Sequence, residues 1–543
     1  RSYSYAELLD HVSRLAGALT AMGVSAGDRV VIYLPMIAEA AMAMLACARI
    51  GAVHAVVFGG FAANELAARI DDAEPSVVLT ASCGLEGSRV IAYKPLVDAA
   101  LAKASHRVDH VMVLQRPELA ADLIEPRDVD WQTMTRPGAV EPAACVDVAA
   151  TDPLYILHTS GTTGRPKGIV RDNGGYAVAL SYSMRTVYDV GPDDVMFTAS
   201  DVGWVVGHSY IVYAPLLVGA TTVMYEGKPV GTPDAGAFWK VIADHGVTCM
   251  FTAPTALRAI RRVDPELIKA HDTATLRHLF LAGERLDPDT WRWASDHLGV
   301  PVVDNWWQTE TGWPIAANLR GLEPMPIKPG SPTVPVPGFD VVVLDPAGEP
   351  VTGTEGAICL RLPLPPGTLA GVWRDEERFV ASYLSAFGGY YLTGDGGHID
   401  ADGYLFVMGR TDDVINVAGH RLSAGAIEAV LASHPAVAEC AVIGVHDEIK
   451  GDVPRGLVVL SSEADHEKLT AELLALVRSE IGAFAGLQGV DVVVGLPKTR
   501  SGKILRRTMR QIADGESPAI PSTIEDPAVL ESLTPTLRRA SDE

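Results

Sequence analysis

Basic residues are scarce in this chain. Its 543 residues include 44 lysines and arginines against 67 aspartates and glutamates, a formal charge of −23. Such an acid excess opposes sequence-independent binding to DNA, RNA or an anionic membrane, which needs a basic surface. Any anionic substrate must therefore be met by a local group of cations. Cysteines are also few: Cys47, Cys83, Cys145, Cys249, Cys359 and Cys440, with no C-x-x-C spacing. Neither a zinc knuckle nor a dithiol redox motif is written, and buried free thiols of a reducing compartment are expected. Long apolar runs are missing too. The most apolar stretch, residues 30–48, is interrupted by Pro35 and Glu39 and stopped by Arg49, too broken for a membrane span. No signal peptide, internal repeat or low-complexity tract is visible. The expected setting is the cytoplasm, or the mitochondrial matrix if a targeting segment precedes Arg1.

What is present is ordinary globular material, 48% hydrophobic and 20% charged, enough to exclude a disordered chain. The length suggests three or four units of ~100–200 residues each. Residues 29–34, 36–50 and 52–58 read as strand, helix and strand. Continuous apolar strands joined by helices imply a parallel sheet covered on both faces. The pattern recurs at residues 195–197, 220–225 and 279–281. Residues 324–408 are richer in proline and glycine, with short strand-like runs, and suit a small β-rich unit. Beyond a break near residues 409–413, helical and strand patterns alternate to about residue 512. The expected architecture is therefore α/β. A large N-terminal domain of stacked α/β sheets, with its β-rich unit, covers 1–411, and a smaller, mobile α+β domain covers 412–513. Residues 514–543, rich in Pro, Ser and acids, read as a loosely held tail.

Thr159-Ser-Gly-Thr-Thr-Gly-Arg-Pro-Lys-Gly168 follows a buried apolar run. Its glycines permit a tight loop whose amides can cradle phosphate, and Ser160, Thr162, Thr163 and Lys167 add donors. A surface turn is the plainer alternative. It is not a Walker A loop, since Pro166 stands where that pattern requires glycine. Residues 497–510 are the most basic stretch, with no acid among Lys498, Arg500, Lys503, Arg506, Arg507 and Arg510. A charge run usually means a solvated helix face, but a glycine-flanked lysine in an acidic chain also suits a mobile point charge for an anion.

The loop resembles the phosphate loop of adenylate-forming enzymes, and four further segments match that superfamily in order. They are Trp306-Trp-Gln-Thr-Glu-Thr-Gly312, Tyr391-Leu-Thr-Gly-Asp395, Gly409-Arg-Thr-Asp-Asp-Val-Ile-Asn-Val-Ala-Gly-His-Arg421 and Pro497-Lys-Thr-Arg-Ser-Gly-Lys-Ile-Leu-Arg506. The double tryptophan and the Gly-His-Arg ending resemble the short-chain acyl-CoA synthetase branch. Arg171-Asp-Asn-Gly-Gly175 and Ala282-Gly-Glu-Arg285 are similar to propionyl-CoA synthetases in particular.

The resemblance implies ATP, Mg²⁺ and coenzyme A, and assigns roles residue by residue. Asp395 and Arg410 hold the ribose; a carboxylate can accept two hydroxyls, although read alone Asp395, placed at the end of a strand, is a turn cap. Gly283, Glu284, Arg285, Asp304, Asn305, Trp306, Gln308 and Thr309 line the nucleotide, on strand ends where open α/β sheets bind ligands. Glu310 positions Mg²⁺ on the ATP phosphates, as an ion taking one or two carboxylates plus phosphate oxygens requires. Arg421 contacts phosphate with its planar fork. Lys503 stabilises carboxylate attack on the α-phosphate. Asp412 is the hinge about which the small domain swings. Gly419 flanks the pantetheine path, and Arg89 and Arg478 hold the CoA phosphates, while Glu86 stands where a third arginine is expected. His434 with nearby carbonyls resembles a structural cation site; by itself it reads as a loop histidine.

The function implied is conversion of a short-chain carboxylate, ATP and CoA to acyl-CoA, AMP and pyrophosphate through an acyl-adenylate. The partners are small molecules, with neither nucleic acid nor membrane among them, and a lysine acylase or deacylase acting on Lys503 is a further expectation. Trp307 closes the acyl pocket against long tails, and Val205, Val206 and Ala282 line its walls. By resemblance, acetate-selective enzymes carry Thr and Val where this chain has Val206 and Ala282. The extra space points to propionate. The competing readings are an acetyl-CoA synthetase, a carrier-protein-loading adenylation domain, and a nucleotide binder without catalysis.

Overall fold

The protein is described by a computed structural model. It covers all residues except 160–165, 285, 412–413, 418–419, 448–450, 462–463, 482–485, 500–501, 519, 522 and 540–543, and the side chains of 414, 416–417, 420–423, 426, 447, 451 and 539. Local signals set the elements. The first helix, Tyr5–Ala21, starts at a capping box in which Ser4 accepts from the Glu7 amide and the Glu7 carboxylate accepts from the Ser4 amide. The helix Pro288–Leu298 begins with Asp287 as N-cap and a proline in its first turn.

Two sheets form the bulk of the molecule. The first has eight strands in the order Gly371–Val372, Lys167–Asp172, Pro153–Thr159, Val53–Val56, Arg29–Tyr33, Val77–Ala81, His110–Leu114 and Asp128–Asp130. Its strands from Pro153–Thr159 to Asp128–Asp130 run parallel, and the first two pairings are antiparallel. The second is fully parallel, in the order Thr221–Val223, Val195–Thr198, Cys249–Thr252, His278–Leu281 and Val302–Asp304. Alternation assigns the faces. Val30 and Ile32 join a core shared with Met196, Phe251 and Phe280 of the second sheet, while Val31 and Tyr33 face a separate cluster on the far side. Phe197, Met250 and Leu279 likewise face away.

The β-rich unit is a four-stranded antiparallel sheet of Val341–Leu344, Gly356–Arg361, Tyr390–Ile399 and Leu405–Arg410. Its Ile358, Leu360 and Tyr391 enter the same shared core. The C-terminal sheet, ordered His420–Ser423, Val414–Val417, Gly451–Leu460 and Val437–Asp447, with Gly489–Val492 beside Gly451–Leu460, has cores of its own. Val442 and Val458 pack against Ile427, Leu431 and Leu473, while Ile443 and Leu457 pack with Met509 and Ile512 on the other face.

The tail departs from expectation. Pro527–Arg539 is a helix, and Leu530, Leu533 and Leu537 are buried with Met509 and Ile512. The C-terminal unit therefore extends past residue 513. The apolar period was masked in the sequence by Pro535 and the surrounding acids. Leu537 is fully buried, so Leu537→Ala should lower the urea-unfolding stability of the C-terminal unit by about 2–5 kcal/mol. A loss under ~0.5 kcal/mol would mean that the helix contributes no packing.

Candidate active site

The parallel strands of the second sheet end at one edge. Neighbouring register pairs Thr198 with Phe251, Thr252 with Leu281, and Leu281 with Asp304. The loops that follow therefore emerge together, as ligand sites on open α/β sheets require. They carry Val205 and Val206, then Thr255, then Ala282, Gly283 and Glu284, then Asn305 to Glu310. Asp304 and Asn305 are buried, and the Asn305 amide nitrogen lies 3.2 Å from the Tyr188 hydroxyl. Glu284 is held by Arg258 at 2.7 Å, and the same guanidinium reaches Asp287 at 3.1 Å. Arg285 lies outside the described residues.

Asp395 meets the nucleotide segment directly. Gln308 Nε2 donates to its Oδ2 at 2.6 Å and to the Thr393 carbonyl at 2.7 Å, and Trp306 Nε1 donates to the same Oδ2 at 3.1 Å. Arg410 stands 3.6 Å from Oδ1 and donates to the Thr393 carbonyl at 3.1 Å. Burial pushes the Asp395 carboxyl above its ordinary value, while Arg410, Gln308, Trp306 and Lys503 pull it back. Asp395 lies within the strand Tyr390–Ile399, beside a register shift at Gly396, and not at a strand end as the sequence suggested.

At the phosphate end, Thr159 pairs with Lys167 across an antiparallel hairpin. Ser160, Thr162 and Thr163 lie outside the described residues, but both flanks of their loop are fixed. Arg378 donates to the Pro166 carbonyl at 3.1 Å. Lys167 Nζ is 3.8 Å from Glu310 Oε1, and burial is the main influence depressing its pKa, with Arg378 and Arg410 adding to the effect and Glu310 opposing it. Glu310 Oε1 also accepts from the Tyr383 hydroxyl at 2.5 Å. The carbonyls of Thr309 and Glu310 are held from below by Arg171, which is fully buried.

The residues expected to line an acyl pocket come together. Val205 and Ala282 are buried in the shared core, with Val206 and Trp307 packed against it. The Trp307 ring meets Tyr210 edge-on at 5.4 Å and lies 6.2 Å from Phe251. Tyr210 is a wall that the sequence reading missed, although it lies on the same helical run as Val206.

The lysine loop reaches this site from the C-terminal unit. The amide of Lys503 donates to Thr499 Oγ1 at 3.1 Å, and the Thr499 amide donates to the Lys503 carbonyl at 2.7 Å. Gly502, with φ +84°, lies so close to Thr255 that a Cβ would sit 3.2 Å from its hydroxyl, a position that suits glycine. The exposed Lys503 acts electrostatically on Asp395. The other cations of the basic stretch are largely paired: Lys498 with Glu439, Arg506 with Glu428, and Arg510 with Asp452.

The remaining candidates are dispersed. Arg89 is exposed on a hairpin and pairs with Glu86, which also binds Lys228 at 2.6 Å. Arg478 lies on the helix His466–Glu480, beside Ala475 and Leu474 in a shallow groove. Asp412, Gly419 and the Arg421 side chain lie outside the described residues. His434 Nδ1 accepts from the Ala436 amide at 3.3 Å, and its Nε2 lies 3.4 Å from Glu472. Among the described residues, no cluster of three or more His, Cys, Asp or Glu side chains could hold a metal, and no helix is long and apolar enough to cross a membrane.

Comparison with known proteins agrees with this geometry. Residues 1–373 match the AMP-binding enzyme family, and residues 426–503 match the AMP-binding enzyme C-terminal domain. The mouse protein acyl-CoA synthetase short-chain family member 3, mitochondrial, is 49% identical, covering 99% of this chain and 80% of its own length. A propionate–CoA ligase of Escherichia coli is 48% identical, covering 100% of this chain and 87% of its own. Among solved structures, acetoacetyl-CoA synthetase from Streptomyces lividans superposes with a TM-score of 0.88 at 26% identity, covering 99% of this chain and 82% of that one.

Arg171→Met should leave the carbonyls of Thr309 and Gly367 without their donor, at ~1–3 kcal/mol for each unsatisfied group, while the Glu310 carbonyl keeps the Leu369 amide at 2.7 Å. Thermal unfolding should shift down, and affinity for a non-hydrolysable acyl-adenylate should fall with it. Arg171→Lys should recover little, because it lacks the planar fork. Wild-type stability in the Met variant would dismiss this role.

Proposed function

The chain belongs to the AMP-binding enzyme family, and from that premise we propose that it is an AMP-forming short-chain acyl-CoA synthetase acting on propionate. The observation that carries the reading is the meeting of two units over one site: Gly502 against Thr255, with the charge of Lys503 acting on Asp395. A positive charge brought by a loop to a nucleotide cradle is what an adenylation step needs.

In the first half-reaction, a propionate oxygen attacks the α-phosphorus of ATP, the bond to the bridging oxygen breaks, and pyrophosphate leaves. Asp395 and Arg410 orient the ribose, with Gln308 and Trp306 fixing the carboxylate. Lys503, Arg421, Lys167 and the loop hydroxyls Ser160, Thr162 and Thr163 meet the phosphates. Mg²⁺ fits here: Glu310 is a single half-buried carboxylate at the phosphate end, and this ion takes one or two carboxylates with phosphate oxygens. When bound it neutralises phosphate charge. In the second half-reaction, the C-terminal unit turns about Asp412 and withdraws Lys503. The CoA thiol loses its proton, its sulfur attacks the acyl carbon, and AMP departs. Gly419 leaves room for pantetheine, while Arg89 and Arg478 receive the CoA phosphates. Acylation of the exposed Lys503 by a lysine acylase would remove its charge and switch off the first step. The proposed setting is the cytoplasm, with the mitochondrial matrix as the alternative. Acetate as the preferred acid and a carrier protein as acceptor are the alternatives. Pyrophosphate release across C2 to C8 carboxylates, with free CoA as acceptor, tests the reading.

Lys503→Ala should abolish propionate-dependent pyrophosphate release yet retain thioester formation from supplied propionyl-adenylate. Equal loss of both half-reactions would withdraw the assignment.

The acyl pocket sets the acid. Ala282 leaves space for one more carbon than valine would, and a buried methylene is worth ~1–3 kcal/mol in discrimination. Propionate should exceed acetate by roughly ten- to a hundred-fold in kcat/KM, with Ala282→Val shifting preference toward acetate and Trp307→Gly admitting longer acids. A kcat/KM for acetate equal to or above that for propionate would overturn the acid assignment alone.

A further inference from the structure

We propose that Tyr383 is a positioning residue for the phosphate end of the site: its phenol fixes the Glu310 carboxylate, and its ring seats the Lys167 ammonium. The inference rests on the adenylating reading above, since that reading supplies the nucleotide and its divalent ion.

Tyr383 is the last residue of the helix Glu376–Tyr383, whose start is fixed by Asp375 accepting from the Arg378 amide at 3.0 Å. Its side chain is buried and stacks on Tyr391, with ring centroids 5.1 Å apart and planes 11° from parallel. The hydroxyl donates to Glu310 Oε1 at 2.5 Å. Lys167 Nζ stands 4.4 Å from the centre of the same ring and 3.8 Å from the same oxygen. One tyrosine thus touches both the acid and the base that face the expected phosphates. A phenol is a donor at neutral pH and an ionised carboxylate only accepts, so the direction of the bond is set.

The consequence follows from how a carboxylate binds Mg²⁺. The ion demands near-octahedral geometry and is poorly served by a carboxylate that swings between two oxygens. A hydrogen bond on Oε1 fixes the plane of the group, and a bound ion would then be taken by a carboxylate held in one orientation. Partners that orient a ligating carboxylate in this way are typically worth 10–100-fold in metal affinity. The ring adds a second effect: a lysine over an aromatic face is attracted by its quadrupole, which keeps Lys167 beside Glu310. A tyrosine present only for packing would need the ring but not the hydroxyl.

Tyr383→Phe separates these cases, because it keeps the stack and the cation–ring contact and removes the donor. The primary readout is Mn²⁺ binding to the full chain with α,β-methylene-ATP, followed by electron paramagnetic resonance. Affinity is expected to fall roughly tenfold, with unchanged thermal unfolding and unchanged thioester formation from supplied propionyl-adenylate. In a Glu310→Gln background the same substitution should cost nothing further. Tyr383→Leu, lacking the ring as well, should raise the KM for ATP beyond the Phe variant. Wild-type Mn²⁺ affinity in the Phe variant, or an equal loss in the Glu310→Gln background, would overturn the proposal. Failure of the parent reading is separate: it would show as no propionate-dependent pyrophosphate release by the unaltered protein, while the Mn²⁺ measurement still judged Tyr383.

Discussion

A guanidinium with no access to solvent holds the site together. Arg171 is fully buried, and its nitrogens donate to the carbonyls of Thr309 at 2.5 Å, Glu310 at 2.9 Å and Gly367 at 2.7 Å, and to the Tyr155 hydroxyl at 3.1 Å. A buried charge is tolerable only when its donors are satisfied, and here main-chain oxygens do most of that work. The arrangement ties the first sheet, which carries Arg171, to the Thr309–Glu310 turn and to the chain just before the sheet's last strand. Gly312 is part of the same constraint: with φ +75°, a Cβ there would lie 2.8 Å from the Arg171 guanidinium carbon. Everything at the phosphate end hangs from this anchor, since Glu310 takes its place from the turn that Arg171 grips.

The anchor also makes the large unit a rigid body in its own right. Gln308 and Trp306, which on the proposed reading face the nucleotide, both bond to Asp395 within the large unit. The C-terminal unit has its own two cores and brings a loop to the edge of that cradle, with Gly502 against Thr255. Two folded bodies, each packed internally, can change their relation without unpacking either, which is the condition for hinge motion.

Much of this was legible in the sequence, and the failures have physical reasons. The parallel strands announced themselves as unbroken apolar runs, and residues 29–34 and 279–281 lie within a residue or so of the strands Arg29–Tyr33 and His278–Leu281. The role of Arg171 was not legible, because its acceptors are carbonyls 138 to 196 residues away and a backbone acceptor leaves no mark on composition. Tyr383 was hidden similarly: nothing local distinguishes it from a packing tyrosine until its hydroxyl is seen on Glu310. The neighbours of the His434 ring, the Ala436 amide at Nδ1 and Glu472 near Nε2, left no mark in the sequence either. The helix Pro527–Arg539 did carry an apolar period at 530, 533 and 537, but its prolines and acids read as a tail.

The charge pattern completes the argument. A chain at −23 repels anions at long range, so phosphates can be held only where cations gather and water is partly excluded. Lys167, Arg378 and Arg410 all act on the Glu310–Tyr383 end of the site. Of the C-terminal basic stretch, Lys498, Arg506 and Arg510 are neutralised by carboxylates of their own unit, while Lys503 acts across to Asp395. Lys167, Arg378 and Arg410 belong to the large unit, whereas Lys503 sits on a loop of the C-terminal unit. On the proposed reading, withdrawing that loop takes one positive charge away from the phosphates while leaving the nucleotide cradle intact. One site can then favour attack on phosphorus in one orientation and attack on the acyl carbon in the other.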